Sequence, residues 1–379
     1  MIKWILRYGF IIYLLNTILL SIEQTFVLGY NIFLILMVCF SFSVLINFKQ
    51  IKIVLLQKSF RFLFFLTLIN IIYWFVFHDF NDIKSLQYLL ARTMQFAIIP
   101  FAIFFNYNYF KIDFLNHLVY VILFVVIIGF IFDPFIFEGR YSGLVWNPNI
   151  LASLTCLGFA TLFLSPNKMT RFDPVILLLF MFIALSTGSR SVLLAIGLAF
   201  LFKYGFSYRN ILYAFISIVI YFVVLNFDVN TSINRFDAQS LLNDRVLQYQ
   251  YAYETFLQRP FFGFGLDKYA YINQEIVPSY LSGHIISAHN AYLAIIVQYG
   301  IFFGLTFLGI VFYKILEIFK NINLSDPIER FYFYLITYVV LASLYETLIT
   351  GINEIHTILF WFSLSFLSYL IYNKKIHED

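Results

Sequence analysis

Long apolar runs alternate with short polar gaps along almost the whole chain. Each run approaches the roughly 20 apolar residues that a helix needs to cross a bilayer. The runs begin near Trp4, Thr25, Phe60, Gln87, Phe114, Asn149, Pro174, Ser191, Asn210, Ala288, Arg330 and His356. The pattern therefore predicts an all-α polytopic membrane protein with about 12 transmembrane helices, built as a single transmembrane domain over residues 1–379.

Two places depart from this regular pattern. The runs that begin near Pro174 and Ser191 are short and meet at Thr187-Gly188-Ser189-Arg190. They are either two helices joined by a tight turn or one broken helix. The second departure is a long polar loop over residues 228–287, in which the spacing of apolar residues predicts a short helix that ends before Pro260. In so apolar a chain, this loop is where a water-soluble substrate group can be handled.

Composition supports the membrane class and excludes several others. The chain is 62% hydrophobic and 12% charged, whereas soluble domains carry about 25% charged residues. The net charge of +4 is scattered along the chain, which is not typical of nucleic-acid binding. Cys39 and Cys156 lie in apolar runs, so neither a disulfide nor a metal site is predicted. Nucleotide motifs and acidic clusters are missing from the sequence, and no cofactor is expected.

The charge distribution predicts the orientation. With the N-terminus in the cytoplasm, most of the 24 Lys and Arg residues fall in short cytoplasmic gaps, as the positive-inside rule requires. Twelve spans then place both termini in the cytoplasm and the 228–287 loop on the outer face.

Four residues stand out as candidates for chemistry. Arg190 lies at membrane depth, which costs about 2.5–3.5 kcal/mol, so it has a partner, binds an anion or reaches the interface as a snorkelling side chain. Arg245 falls in the first turn of the predicted loop helix, where its charge is mildly unfavourable with the helix dipole and would be neutralised by a bound anion. Arg140 either binds a ligand or keeps its loop soluble. His289 opens a span and is either a proton acceptor near neutral pH or a satisfied interfacial histidine.

The order of these features resembles the O-antigen polymerase and O-antigen ligase superfamily. The matching pieces are Arg140 with NPN (147–149), TGSRS (187–191), Arg245 leading into RPFFGFG (259–265), and AHNAYL (288–293) leading into YGIFFGL (299–305). The similarity covers roughly Arg140 to Gly304, and beyond it only Glu346 corresponds. Tyr249 departs from the pattern, since many members carry Trp there.

The resemblance implies a metal-independent glycosyltransferase on the outer face of the bacterial cytoplasmic membrane. Its donor would be an oligosaccharide linked to undecaprenyl pyrophosphate. By this resemblance Arg190 and Arg245 bind the pyrophosphate and His289 is the base that deprotonates the acceptor hydroxyl. Our hypothesis adds Arg140 to the pyrophosphate group and requires these residues within about 10–15 Å of one cavity. The supporting residues are Asn149, Tyr249 and Asn290.

Three functions compete at this point. The first is a polymerase that joins lipid-linked repeat units of an O-antigen or capsule. The second is a ligase that moves the finished glycan to lipid A core or another acceptor. The third is a transporter of lipid-linked glycan, which would place many polar residues deep inside the spans, where little besides Arg92 is found. Expected partners are the lipid-linked oligosaccharide, membrane lipid, a chain-length regulator and a repeat-unit flippase, and no nucleic acid.

Overall fold

The computed structural model describes residues 2–136, 139–164, 170–189, 191–213, 216, 243–267 and 288–378, which are mostly helical with no strand among them. The numbered helices are α1 (Ile2–Leu20), α2 (Phe26–Ile46), α3 (Phe48–Leu55), α4 (Arg61–Phe77), α5 (Ile83–Ile112), α6 (Phe114–Phe132), α7 (Pro148–Leu164), α8 (Asp173–Ser186), α9 (Ser191–Tyr204), α10 (Asn243–Gln258), α11 (Ala291–Asn321), α12 (Pro327–Ala342) and α13 (Ile355–Glu378).

Helix length and apolarity identify the membrane-crossing elements. Five helical stretches of the described residues are long and apolar enough to span a bilayer: Glu23–Ile46, Ile83–Ile112, Phe114–Phe132, Ala291–Asn321 and Ile355–Lys374. Five shorter apolar helices accompany them: Trp4–Leu20, Arg61–Phe77, Pro148–Leu164, Asp173–Ser186 and Ser191–Tyr204. The predicted class, an all-α polytopic membrane protein, is confirmed.

The observed helices begin within a few residues of the expected starts. One run is described only at its beginning. Of the run predicted near Asn210, residues 208–213 are helical, and most of the remainder lies outside the described residues. The count of about twelve spans stays a prediction.

Helices α5 and α13 form the centre of the bundle. In the apolar part of α13, 89% of the residues are buried inside the protein, whereas the corresponding share for the span that contains α2 is 28%. Helix α13 packs on α1, α5, α11 and α12. Aromatic rings fill these contacts, for example Phe96 of α5 edge-on to Trp361 of α13 at 4.8 Å between ring centres. The outer helices therefore present their apolar residues to lipid, while α13 contacts mainly protein.

Helices α8 and α9 are two separate helices, which decides between the two predicted alternatives. Both pack on α7. Phe180 of α8 fits against Gly158 of α7, where an added Cβ would lie 2.8 Å from the ring. Phe200 of α9 packs on Phe163 of α7, with ring centres 4.9 Å apart. The chain therefore turns between residues 187 and 190, and α7 holds the two helices on either side of that turn.

Helix α11 is kinked at Gly300, which has φ 68° and ψ −179°. A kink leaves backbone groups on either side without helical partners, and buried backbone groups need replacements. The segment 260–265 supplies them. The hydrogen bonds run from Phe264 N to Val297 O (3.0 Å), from Gly265 N to Gln298 O (3.0 Å) and from Ile301 N to Pro260 O (2.8 Å).

Two glycines make this close backbone contact possible. A Cβ on Gly300 would lie 2.3 Å from the Phe261 carbonyl oxygen, and one on Gly263 would lie 2.4 Å from the Gln298 oxygen. Both residues have positive φ, the region in which glycine is favoured. Gly263 of the RPFFGFG piece and Gly300 of the YGIFFGL piece therefore allow the segment after α10 to pack directly against the kink of α11.

Candidate active site

Arg140 joins two of the sequence pieces that were singled out. Its Nε donates to the Thr187 carbonyl at 3.0 Å, and its Nη2 donates to Asn149 Oδ1 at 2.6 Å. Asn147 Oδ1 accepts a hydrogen bond from the Asn149 backbone N–H at 2.9 Å. Asn147 thus has the capping contact at the start of α7, while the Asn149 side chain orients the guanidinium of Arg140.

The turn that follows Thr187 is compact. Gly188 has φ 61°, and the hydroxyls of Ser189 and Ser191 are 2.9 Å apart. Arg190, between those serines, lies outside the described residues. The predicted role of Arg190 therefore stays a prediction, and what the structure establishes is the placement of its neighbours beside Arg140.

A second group of predicted residues meets at the carbonyl of Leu344. Asn290 caps α11, because its Oδ1 accepts from the backbone N–H groups of Tyr292 (3.0 Å) and Leu293 (3.1 Å). Its Nδ2 donates to the Leu344 oxygen at 3.1 Å, and the Tyr249 hydroxyl donates to the same oxygen at 2.8 Å. The loop helix α10 and the start of α11 are thus both attached to the residues that follow α12.

His289 faces a carboxylate that sequence reasoning left without a role. Its Nδ1 lies 3.4 Å from Glu346 Oε2, and the two side chains are 33% and 28% exposed. If Nδ1 carries the proton, Glu346 fixes the tautomer and Nε2 keeps its lone pair for an incoming hydroxyl. His289 also has φ 40°, and strained backbone of this kind is found preferentially at functional sites.

Glu346 was noted in the sequence, but its role was missed because its pairing with His289 joins positions 57 residues apart. A signal was nevertheless present in the sequence. Glu346 is one of two acidic residues in the short gap between the last two apolar runs, and Glu354 is the other.

Glu354 lies on the same connecting segment. The residue is exposed, yet its pKa is raised from 4.5 to about 7, mainly by desolvation from the surrounding protein. The Thr357 hydroxyl and Arg92 oppose this shift, whereas the negative charge of Glu346 adds to it. Glu346 and Glu354 therefore interact electrostatically on this connecting segment.

Arg92, buried in the bundle, binds the segment that connects α12 and α13. It is 2% exposed and donates to Gln95 Oε1 (2.6 Å), to the Tyr88 hydroxyl (3.0 Å) and to the Thr350 carbonyl. Hydrogen-bonding partners of this kind compensate for burying a charged guanidinium. Arg92 therefore clamps residues 343–354 to α5, which gives this intramembrane arginine a structural role.

The two groups lie at the same end of the bundle. The Tyr334 hydroxyl of α12 donates to the Ala195 carbonyl of α9 at 3.0 Å, and one turn later Tyr338 lies against Ser191. Helices α9 and α12 are therefore antiparallel. Tyr338 precedes Ser343 by five residues, which is about 8 Å along a helix axis, so the start of α9 lies near the segment that holds Glu346.

Arg245 occupies the first turn of α10, and its side chain lies outside the described residues. Its backbone is four residues before Tyr249, which is about 6 Å along the helix. The structure thus places the start of α10 close to the Leu344 and Glu346 group, whereas contacts of the Arg245 guanidinium remain a prediction. Among the described residues, no cluster of three or more His, Cys, Asp or Glu could hold a metal ion.

The fold and this polar end define a multi-pass membrane protein in which the His289 and Glu346 pair lies near an arginine-bearing turn. Residues 175–308 match the family described as O-antigen ligase, and this match supports a place in the O-antigen polymerase and ligase superfamily. The resemblance drawn from the sequence is confirmed, and the match does not separate polymerase from ligase. Members of this family are membrane glycosyltransferase-like enzymes. No curated protein matches the chain.

Proposed function

We propose that this protein is a polymerase that transfers an undecaprenyl-pyrophosphate-linked glycan onto a lipid-linked repeat unit of a surface polysaccharide. The observation that carries the proposal is the contact between His289 Nδ1 and Glu346 Oε2 at the capped start of α11. This contact gives a base and the group that orients it, at the end of the bundle where the arginine-bearing turn also lies.

The reaction follows from these groups. The acceptor hydroxyl oxygen attacks the anomeric carbon of the donor while His289 Nε2 takes the hydroxyl proton. The bond between the anomeric carbon and the pyrophosphate oxygen breaks, and undecaprenyl pyrophosphate leaves. Arg190, Arg245 and Arg140 bind its negative charge, which guanidinium groups do with fixed bidentate geometry. The donor is already activated, so the proposal requires neither a metal nor a nucleotide.

The proposal includes location and partners. The site faces the outer side of the bacterial cytoplasmic membrane and both termini are cytoplasmic, as the distribution of Lys and Arg indicates. A flippase would deliver the lipid-linked oligosaccharide, and a chain-length regulator would limit the product. The second candidate is ligase activity, which the name of the matching family favours and which would use the same residues on a different acceptor.

The test is deletion of the gene in its own host, followed by electrophoresis of the surface glycan. We expect a product capped at one repeat unit on its acceptor in the deletion strain, and also after complementation with His289→Ala or Arg245→Ala. His117→Ala is the matched control, since His117 is exposed and pairs with Tyr109. Full-length polymer left on the lipid carrier would indicate ligase instead, and a normal ladder from both variants would refute the catalytic assignment.

A further inference from the structure

Arg259 lies just after the last turn of α10, and the N–H groups of its guanidinium are available to bind a ligand. It is exposed, and its guanidinium carbon lies 5.1 Å from the centre of the Phe264 ring. Within the described part of the chain, no carboxylate pairs with it and no hydrogen bond of its guanidinium is found. Arg140 and Arg92 differ in this respect, because protein oxygens accept from both of them.

A cavity of about 380 Å³ lies beside this guanidinium. Tyr73 and Phe77 of α4 line one part, and Arg259, Phe262 and Phe264 line another. Its volume falls at the lower end of the range for small-molecule sites, about 300–1,000 Å³. Such a cavity is large enough for a charged head group and only the first part of an apolar chain.

The surroundings of the cavity suit an apolar chain. Phe261, Phe262 and Phe302 are 56%, 50% and 58% exposed, and Phe261 stacks on Phe302 with ring centres 5.8 Å apart. A cation beside an exposed aromatic surface matches a phosphate attached to a long hydrocarbon chain. Guanidinium groups bind phosphate by charge-assisted hydrogen bonds, and the rings would lie against the chain.

The spacing along α10 separates this site from the donor pyrophosphate. Arg259 is 14 residues after Arg245, or about 21 Å along a helix axis, which is too far for one pyrophosphate to contact both. It is ten residues after Tyr249, or about 15 Å. Phe264, on which the guanidinium rests, packs in the same apolar cluster as Ala288 and Leu293 at the start of α11. The cavity is therefore held at a fixed distance from His289.

We propose that Arg259 binds the pyrophosphate of the acceptor, the lipid-linked repeat unit, while the reacting hydroxyl of that oligosaccharide reaches His289. This inference rests on the proposed polymerase function, in which both substrates carry a lipid pyrophosphate. A short oligosaccharide bridges the distance between the cavity and the histidine. Arg259 is thus a positioning residue for the acceptor.

The test separates acceptor from donor in a reconstituted assay with purified protein. The donor is the host's lipid-linked repeat unit with its accepting hydroxyl blocked. The acceptor is the same oligosaccharide on either a polyprenyl diphosphate or an uncharged alkyl chain. We expect the wild type to have an acceptor KM about 10- to 100-fold lower for the diphosphate form. Arg259→Ala should abolish this preference with kcat and donor KM unchanged, and Arg259→Lys should retain part of it.

Arg61→Ala is the matched control. Arg61 is an exposed arginine at the start of α4, whereas the cavity lies at the other end of that helix, beside Tyr73 and Phe77. A binding measurement gives a readout that does not depend on activity. Farnesyl diphosphate should occupy two sites in the wild type and one in Arg259→Ala. The proposal is overturned if Arg259→Ala keeps the acceptor preference, if it raises the donor KM instead, or if its effect follows the anionic phospholipid content of the bilayer. Inactive His289→Ala protein that still binds two equivalents would support it, whereas active His289→Ala protein would refute the proposed function alone.

Discussion

Replacing Glu346 with glutamine tests whether His289 acts as an oriented base. The change keeps the size of the side chain and removes its charge. Two unit charges 3.4 Å apart interact by about 5 kcal/mol at an effective dielectric constant of about 20. Both side chains are about one-third exposed, and exposed pairs usually contribute less than 1 kcal/mol. A value of about 1–2 kcal/mol lies between these limits and corresponds to a loss of about 5- to 30-fold in kcat.

The assay is transfer from the lipid-linked donor, with kcat and KM measured separately for Glu346→Gln, Glu346→Asp and Glu346→Ala. We expect the loss in kcat, little change in donor KM, and partial recovery in Glu346→Asp. The decisive comparison uses the His289→Ala background, in which Glu346→Gln should cost nothing further, because residues that act as a unit are not additive. A full additional loss in that background would refute the pairing and leave Glu346 with an independent role.

Three further predictions address the rest of the site. Gly300→Ala should lower the Tm of the purified protein and cost more than about 2 kcal/mol, while Gly309→Ala on the same helix, where a Cβ meets open space, should not. The folded pKa of Glu354, about 7, exceeds 4.5, so its proton stabilises the fold at low pH and that contribution is lost as pH rises through 7. Glu354→Gln should therefore flatten the decline of Tm between pH 5 and 8, and an unchanged slope would contradict the raised pKa. Asn149→Ala should lower transfer by about 3- to 10-fold and have no further effect in Arg140→Ala, as a glycan ladder or transfer rate would show.

The sequence predicted the fold where the signal was local. Apolar runs of membrane length located the helices, because a helix in lipid satisfies its own backbone groups without distant partners. The short runs around Thr187 were ambiguous, and packing of α8 and α9 on α7 resolved them. The kink of α11 was not predicted, since the run through Gly300 is mostly apolar and the backbone groups that pair with the kink come from residues 260–265.

The candidate site was predictable only in part. Polar residues in apolar surroundings marked Arg140, Asn290 and His289, and the structure gives each of them specific partners. The contact of Glu346 with His289 could not be derived, because it depends on how the chain returns from α12 to α13. Arg259 was not among the predicted site residues, because the cavity beside it is formed by residues that are distant in the sequence.

The interlocked glycines at residues 263 and 300 have a mechanical consequence for the catalytic cycle. Backbone packed against backbone leaves no side chain that could rotate to let α10 move relative to α11, so the two elements shift only as one body. With Arg259 as the proposed acceptor site, the distance of about 15 Å along the helix axis between Tyr249 and Arg259 then sets the length of acceptor that fits. A repeat unit much shorter or longer than this distance would be a poor acceptor, however well its terminal sugar fits.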